Sequence, residues 1–81
     1  MKVIGEVPHP SCKITLYAWN NRYIVKVEAG YFEQTYKINE YDITSEDDLK
    51  EMLNGPFLDK VMRRFEEMAK DWGEAVDELD D

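Results

Sequence analysis

The stretch 57-FLDKVMRRFEEMAKDWGEAVDEL-79 decides how the rest of this 81-residue chain must fold. Its apolar residues are Phe57, Leu58, Val61, Met62, Phe65, Met68, Ala69, Trp72, Ala75, Val76 and Leu79, spaced with the 3.6-residue period of an amphipathic helix. Between them lie Asp59, Lys60, Arg63, Arg64, Glu66, Glu67, Lys70, Asp71, Glu74, Asp77 and Glu78, so the opposite face is charged and belongs in water. One long helix with one apolar face demands a surface to cover, and the residues upstream must supply it.

Immediately upstream, Asn54-Gly55 reads as a left-handed helix C-cap, and Pro56 opens the long helix at a position that needs no amide donor. Before that cap, Ser45-Glu46-Asp47-Asp48 predicts a short helix over 45–54: a serine N-cap, then acidic residues in the turn where the helix dipole favours them. Leu49, Met52 and Leu53 form its inner edge. The carboxylates Asp77, Glu78, Asp80 and Asp81 oppose the dipole at the far end of the long helix, where fraying is expected.

Further upstream the period changes to two. From Cys12 to Trp19 apolar and polar residues alternate, and Asn20-Asn21 tolerates the positive φ that a two-residue type I′ hairpin loop requires. Pairing Trp19 with Arg22 puts Leu16 beside Val25, Ile14 beside Val27 and Cys12 beside Ala29 on one face, with Lys13 beside Glu28 on the other. A second loop at Ala29-Gly30 pairs Val27 with Phe32, Tyr23 with Tyr36 and Lys26 with Glu33. That register sets Arg22 against Lys37 and turns Gln34 inward opposite Val25, where it needs a shifted register or a hydrogen-bond partner under the helix. Residues 1–11 read as an extended lead-in or an edge strand, because Val3 to Val7 has β character but Gly5 interrupts it and Pro8-His9-Pro10 forbids central pairing.

The expected fold is therefore a single α+β domain. A three-stranded antiparallel meander of Cys12 to Trp19, Arg22 to Glu28 and Tyr31 to Ile38 is followed by the short helix and by a long helix over 56–79 packed on one sheet face. The expected core is Ile14, Leu16, Tyr23, Val25, Val27, Phe32, Tyr36, Ile38, Leu53, Phe57, Val61, Met62, Phe65, Met68 and Trp72.

Composition narrows the function classes. The net charge of −8 is uneven: up to Asn39 five basic residues outnumber three acidic ones, whereas from Glu40 onward five basic residues face fifteen acidic ones. Such acidity repels phosphate backbones, so nucleic-acid binding is expected only of the sheet half. Cys12 is the single cysteine, which removes internal disulfides and multi-cysteine metal frameworks. No apolar run approaches the roughly 20 residues that span a bilayer, and Gly5 and Glu6 interrupt the start where a signal peptide needs an unbroken apolar stretch, so the cytoplasm is the expected location.

Catalytic and metal chemistry find little support in the residues. His9 and Cys12 offer two zinc ligands where three or four are needed, and strand alternation turns Cys12 inward, away from the electropositive exposure a nucleophilic thiolate requires. Glu46, Asp47, Asp48 and Glu51 are explained by helix capping and lack the spacing of a calcium loop. Gly5, Gly30, Gly55 and Gly73 are scattered, with no phosphate-binding loop among them. No catalytic residue, cofactor or metal site is expected.

The outer sheet face is the exception to a plain solvated surface. There Tyr17, Trp19, Arg22, Ile24, Lys26 and Tyr31, accompanied by Lys13 and Lys37, interleave aromatic or apolar groups with basic ones. Such a surface suits a protein interface, or single-stranded nucleic acid through stacking and charge, or it merely shields a thin sheet. The favoured expectation is a non-enzymatic protein-interaction module with an unidentified partner; a single-stranded nucleic-acid binder is the alternative. Lengths add a homodimer to the expectation. A helix over 57–79 is about 34 Å long and overhangs an eight-residue strand of about 26 Å. Either the N-terminal segment or a second copy must then cover Ala75, Val76 and Leu79.

Overall fold

The computed structural model describes residues 1–79 and is an α+β fold. A four-stranded antiparallel sheet, in the order β1 (Lys2–Val7), β2 (Lys13–Trp19), β3 (Arg22–Ala29), β4 (Phe32–Asn39), is followed by a short 3-10 turn over Glu40–Asp42 and two helices, α1 (Glu46–Met52) and α2 (Gly55–Leu79). The three-stranded meander expected from sequence is thus corrected to four strands. Pro8 and Pro10 stand outside the ladder, and β1 pairs at the edge with β2, Val7 facing Ile14 and Glu6 facing Thr15. Gly5, which argued against a strand, instead accompanies a register shift between Val3 and Gly5, where Ile4 still packs against the core. A bulge of this kind is an ordinary edge-strand device. A Cβ built on Gly5 would meet Lys50 Cε at 3.5 Å, which places α1 beside β1.

The first hairpin forms as its turn chemistry predicts. Asn20 and Asn21 take φ values of 51° and 60°, and every pair from Lys13–Glu28 to Trp19–Arg22 stands in the expected register. The second hairpin differs. Its loop is Gly30-Tyr31, one residue later than expected, with Gly30 at φ 61° in the first loop position, the pattern of a type II′ turn. Only glycine occupies that conformation without strain, and Ala29 does not, so the turn moves to put Gly30 there. Val27 consequently faces Gln34, Val25 faces Tyr36, Tyr23 faces Ile38, and Arg22 faces Asn39 rather than Lys37.

Because the move displaces each partner by two residues, the faces of β4 are preserved and Gln34 still points under the helix. There its Nε2 donates to the Val61 carbonyl at 3.0 Å, while its Oε1 accepts from the Tyr36 hydroxyl. An inward amide is tolerated because both its ends are satisfied. The Ser45 cap forms, the Asp48 amide donating to Ser45 Oγ at 3.2 Å, but α1 ends one step earlier than expected. Its C-cap is Leu53, whose amide donates to the Lys50 carbonyl at 3.1 Å, and Gly55, at a positive φ of 31°, is the first residue of α2.

The core lies between the inner sheet face and the helices. Ile14, Leu16, Val25, Val27, Leu49, Leu53, Leu58, Val61 and Phe65 are buried. Tyr23, Phe32, Tyr36, Ile38, Phe57, Met62 and Met68 are partly buried against them, and the Tyr36 and Phe57 rings meet edge to face at 5.3 Å. Leu49 and Leu58 join the expected set. Trp72 leaves it, being 61% exposed.

The reason for its exposure is reach. From Phe57 beside Tyr36 to Val61 at Gln34, α2 advances against the direction of β4, toward the Gly30-Tyr31 end of the sheet. Met68 is the last side chain of α2 that packs on the core, and beyond it the helix has no sheet to cover. The molecule measures 51 × 26 × 19 Å with a radius of gyration of 14.9 Å, against about 12 Å for a compact chain of this length. Helix α2 continues through Asp77 and Glu78 to Leu79; Asp80 and Asp81 lie outside the described residues.

This division of α2 sets a paired expectation for urea denaturation followed by circular dichroism. Phe65→Ala lowers stability by about 3–5 kcal/mol, whereas Trp72→Ala changes it by no more than ~0.5 kcal/mol. Equal losses would mean that the distal half of α2 is packed after all.

A candidate interaction surface on the outer sheet face

The outer face of β2, β3 and β4 carries most of the residues singled out by sequence, but not on equal terms. Trp19 is 48% exposed, Tyr17 is partly exposed and Arg22 is exposed. Ile24 is a correction: it is only 4% exposed, because on the central strand β3 it stands between Tyr17 of β2 and Lys37 of β4, whose larger side chains flank it. Tyr31 is another. The later turn removes it from the strand and leaves it fully exposed at the loop tip, away from the others.

Tyr17, Trp19, Ile24 and Lys26 come together with Met1, Glu33, Thr35 and Lys37 around a shallow concavity of 340 Å³. Arg22 borders a second hollow, of 280 Å³, shared with Lys37, Ile38, Asn39 and Asp42. The two hollows meet at Lys37. Met1 was not legible as a surface partner, because it joins only through the pairing of β1, whereas Thr35 follows from the alternation of β4.

The charges of this face are partly spent internally. Lys26 Nζ lies 3.3 Å from Glu33 Oε2, a diagonal pair in the observed register. The Glu33 hydrogen bond and charge, with Glu28 adding to them, hold the Lys26 ammonium above its ordinary pKa. Glu28 itself faces Lys13 across the first hairpin. That leaves Lys37 at the concavity and Arg22 in the adjoining hollow as cations without an ion-pair partner among the described residues.

Thr15 sits at the centre of the same face, 4% exposed, and its Oγ1 has no hydrogen-bond partner among the described residues. A buried hydroxyl left unpaired costs about 1–3 kcal/mol relative to a paired one. Thr15→Val keeps the branched shape and removes the orphan, so its urea midpoint should rise by the equivalent of about 1 kcal/mol. A lowered midpoint would mean that the hydroxyl is paired in solution.

The residues of metal and thiol chemistry are arranged for other purposes. His9 Nδ1 accepts from the Ser11 amide at 3.1 Å and closes the link between β1 and β2. No group of three or more His, Cys, Asp or Glu residues among the described residues is placed to hold a metal ion. Cys12 lies just before β2, partly buried, and burial raises its thiol pKa above the ordinary value. Its alkylation by iodoacetamide near neutral pH should therefore be several-fold slower in the folded chain than in urea, because the thiolate is the reacting form. Equal rates would show an open, unperturbed thiol.

Two further apolar features lie elsewhere. A groove of 450 Å³ runs between α1, the start of α2 and β4, lined by Val25, Tyr36, Ile38, Leu49, Leu53 and Phe57 among others. At the far end of α2, Trp72, Val76 and Leu79 are 61%, 39% and 85% exposed on a helix that has left its sheet. No helix of the described residues is long and apolar enough to cross a membrane. The chain matches no family model, no curated protein and no solved structure.

Proposed function

We propose that this chain is a non-enzymatic protein-interaction module that docks through the outer sheet face and the distal end of α2. The observation that carries this reading is the stripe of Trp72, Val76 and Leu79, held in water on a helix already paired with its sheet along its first half. Contiguous exposed apolar surface next to polar residues is characteristic of docking sites, and exposed tryptophan is costly to keep where nothing covers it. The outer face adds Trp19 and Tyr17 beside Arg22 and Lys37, a composition favoured at protein interfaces.

A single-stranded nucleic-acid binder is the second reading, motivated by the same aromatic and basic groups. Two facts weigh against it: the net charge of −8 and the engagement of Lys26 by Glu33. Titration with fluorescent oligonucleotides at low and moderate salt separates the two. The interaction reading expects no saturable binding at either salt. Salt-sensitive binding lost on Trp19→Ala and Lys37→Ala would replace it with the nucleic-acid reading.

The interaction reading has its own measurement. Affinity capture from the source cell with wild type, Trp19→Ser and Trp72→Ser should give a bound species that is retained by wild type and lost with either variant. A capture profile indifferent to both substitutions would remove these surfaces from the function.

A further inference from the structure

Resting on that reading, we propose that the partner of the α2 end is a second copy of this chain, and that it docks helix end to outer sheet face rather than helix to helix. Charge decides between the arrangements. Beyond Met68 the helix carries one base, Lys70, against four acids, Asp71, Glu74, Asp77 and Glu78. Pairing two such ends through the apolar stripe would set Asp71 and Glu78, which flank it, against the same two residues of the other copy, a repulsive contact. The outer sheet face offers the opposite sign: with Lys26 paired to Glu33, Lys37 at the concavity and Arg22 in the adjoining hollow outnumber the one acid beside them, Asp42. The apolar parts match as well: Trp72 and Val76 are exposed on the helix end, and Tyr17 and Trp19 are the exposed apolar groups beside the bases. A volume of 340 Å³ is at the small end of clefts that enclose an organic group.

Topology then fixes the mode of assembly. The α2 end projects past the Gly30-Tyr31 turn, whereas Trp19 and Arg22 flank the Asn20-Asn21 turn at the other end of β3. The two surfaces therefore lie at opposite ends of the molecule and on opposite faces of the sheet. One contact between two copies leaves a helix end free on one and a sheet face free on the other, so association is head to tail and continues with concentration. A closed homodimer, the form expected from sequence, would need both surfaces on one side. The contact is small, about three turns of helix on part of a sheet, which places it among weak associations.

Complementation by sedimentation equilibrium tests the proposal. Trp72→Glu disables the helix end, and Arg22→Glu with Lys37→Glu disables the sheet face; both sets change exposed side chains, and circular dichroism confirms that each variant is folded. Wild type should show a mass rising with concentration beyond two chains, reduced at least several-fold in association constant at high salt. Each variant alone should remain a single chain. Their equimolar mixture should associate and stop at two chains, because each molecule retains only one working surface. A sheet-face variant that self-associates like wild type overturns the proposal in favour of helix-to-helix pairing. A helix-end variant that does so overturns it in favour of sheet-to-sheet pairing. A wild type that stays at one chain to the highest soluble concentration overturns self-association outright while leaving the interaction reading to stand on the capture experiment.

Discussion

The apolar stripe of α2 is longer than the sheet beneath it, and the rest of the structure follows from that mismatch. An antiparallel sheet of four short strands needs one covered face, and α1 together with the first half of α2 covers it. The stripe does not stop there. With 25 residues in α2 and none after Met68 packed on the core, the helix projects about 16 Å into solvent. A core this small has little stability to spare, and the apolar residues beyond Met68 add no packing to it.

What holds the covered half in place is partly polar. Gln34 ties β4 to the carbonyl of Val61, and Tyr36 completes the amide while its ring meets Phe57. Apolar packing alone allows a helix to slide along a sheet by small increments, whereas a buried amide with both ends satisfied has one correct position. The position of Gln34 therefore sets how far along β4 the helix begins, and with it how much of the helix is left over. The Gln34 hydrogen bonds act together with the packing of Phe57, Leu58, Val61 and Phe65 to fix where the overhang begins.

The outer face shows the complementary economy. Thr15 and Ile24 are buried beneath larger neighbours on a face that no helix covers, so the long side chains of Tyr17, Trp19 and Lys26 act as its roof. Shielding and recognition are not exclusive here: the atoms that keep the sheet dry are those a partner would meet, and the internal Lys26–Glu33 pair leaves the positive charge to Lys37 at the concavity and Arg22 in the adjoining hollow.

Periodicity and turn chemistry in the sequence alone determined the α+β class, the Asn20-Asn21 hairpin with its register from Lys13–Glu28 to Trp19–Arg22, the Ser45 cap and the inner and outer faces of β2, β3 and β4. These are local properties: alternation assigns faces, and a positive φ must fall where asparagine or glycine stands. Other features were decided only by tertiary structure. Val3 to Val7 became a strand because the edge of β2 was open to pair with it. Gly30 drew the second turn one residue along, and Tyr31 left the face with it. Ile24 was buried by neighbours across three strands, while Trp72, at a position equivalent in period to Phe65, remained in water. A repeat states which side of a helix is apolar but not where the opposing surface ends, and that boundary is set by the length and placement of other elements.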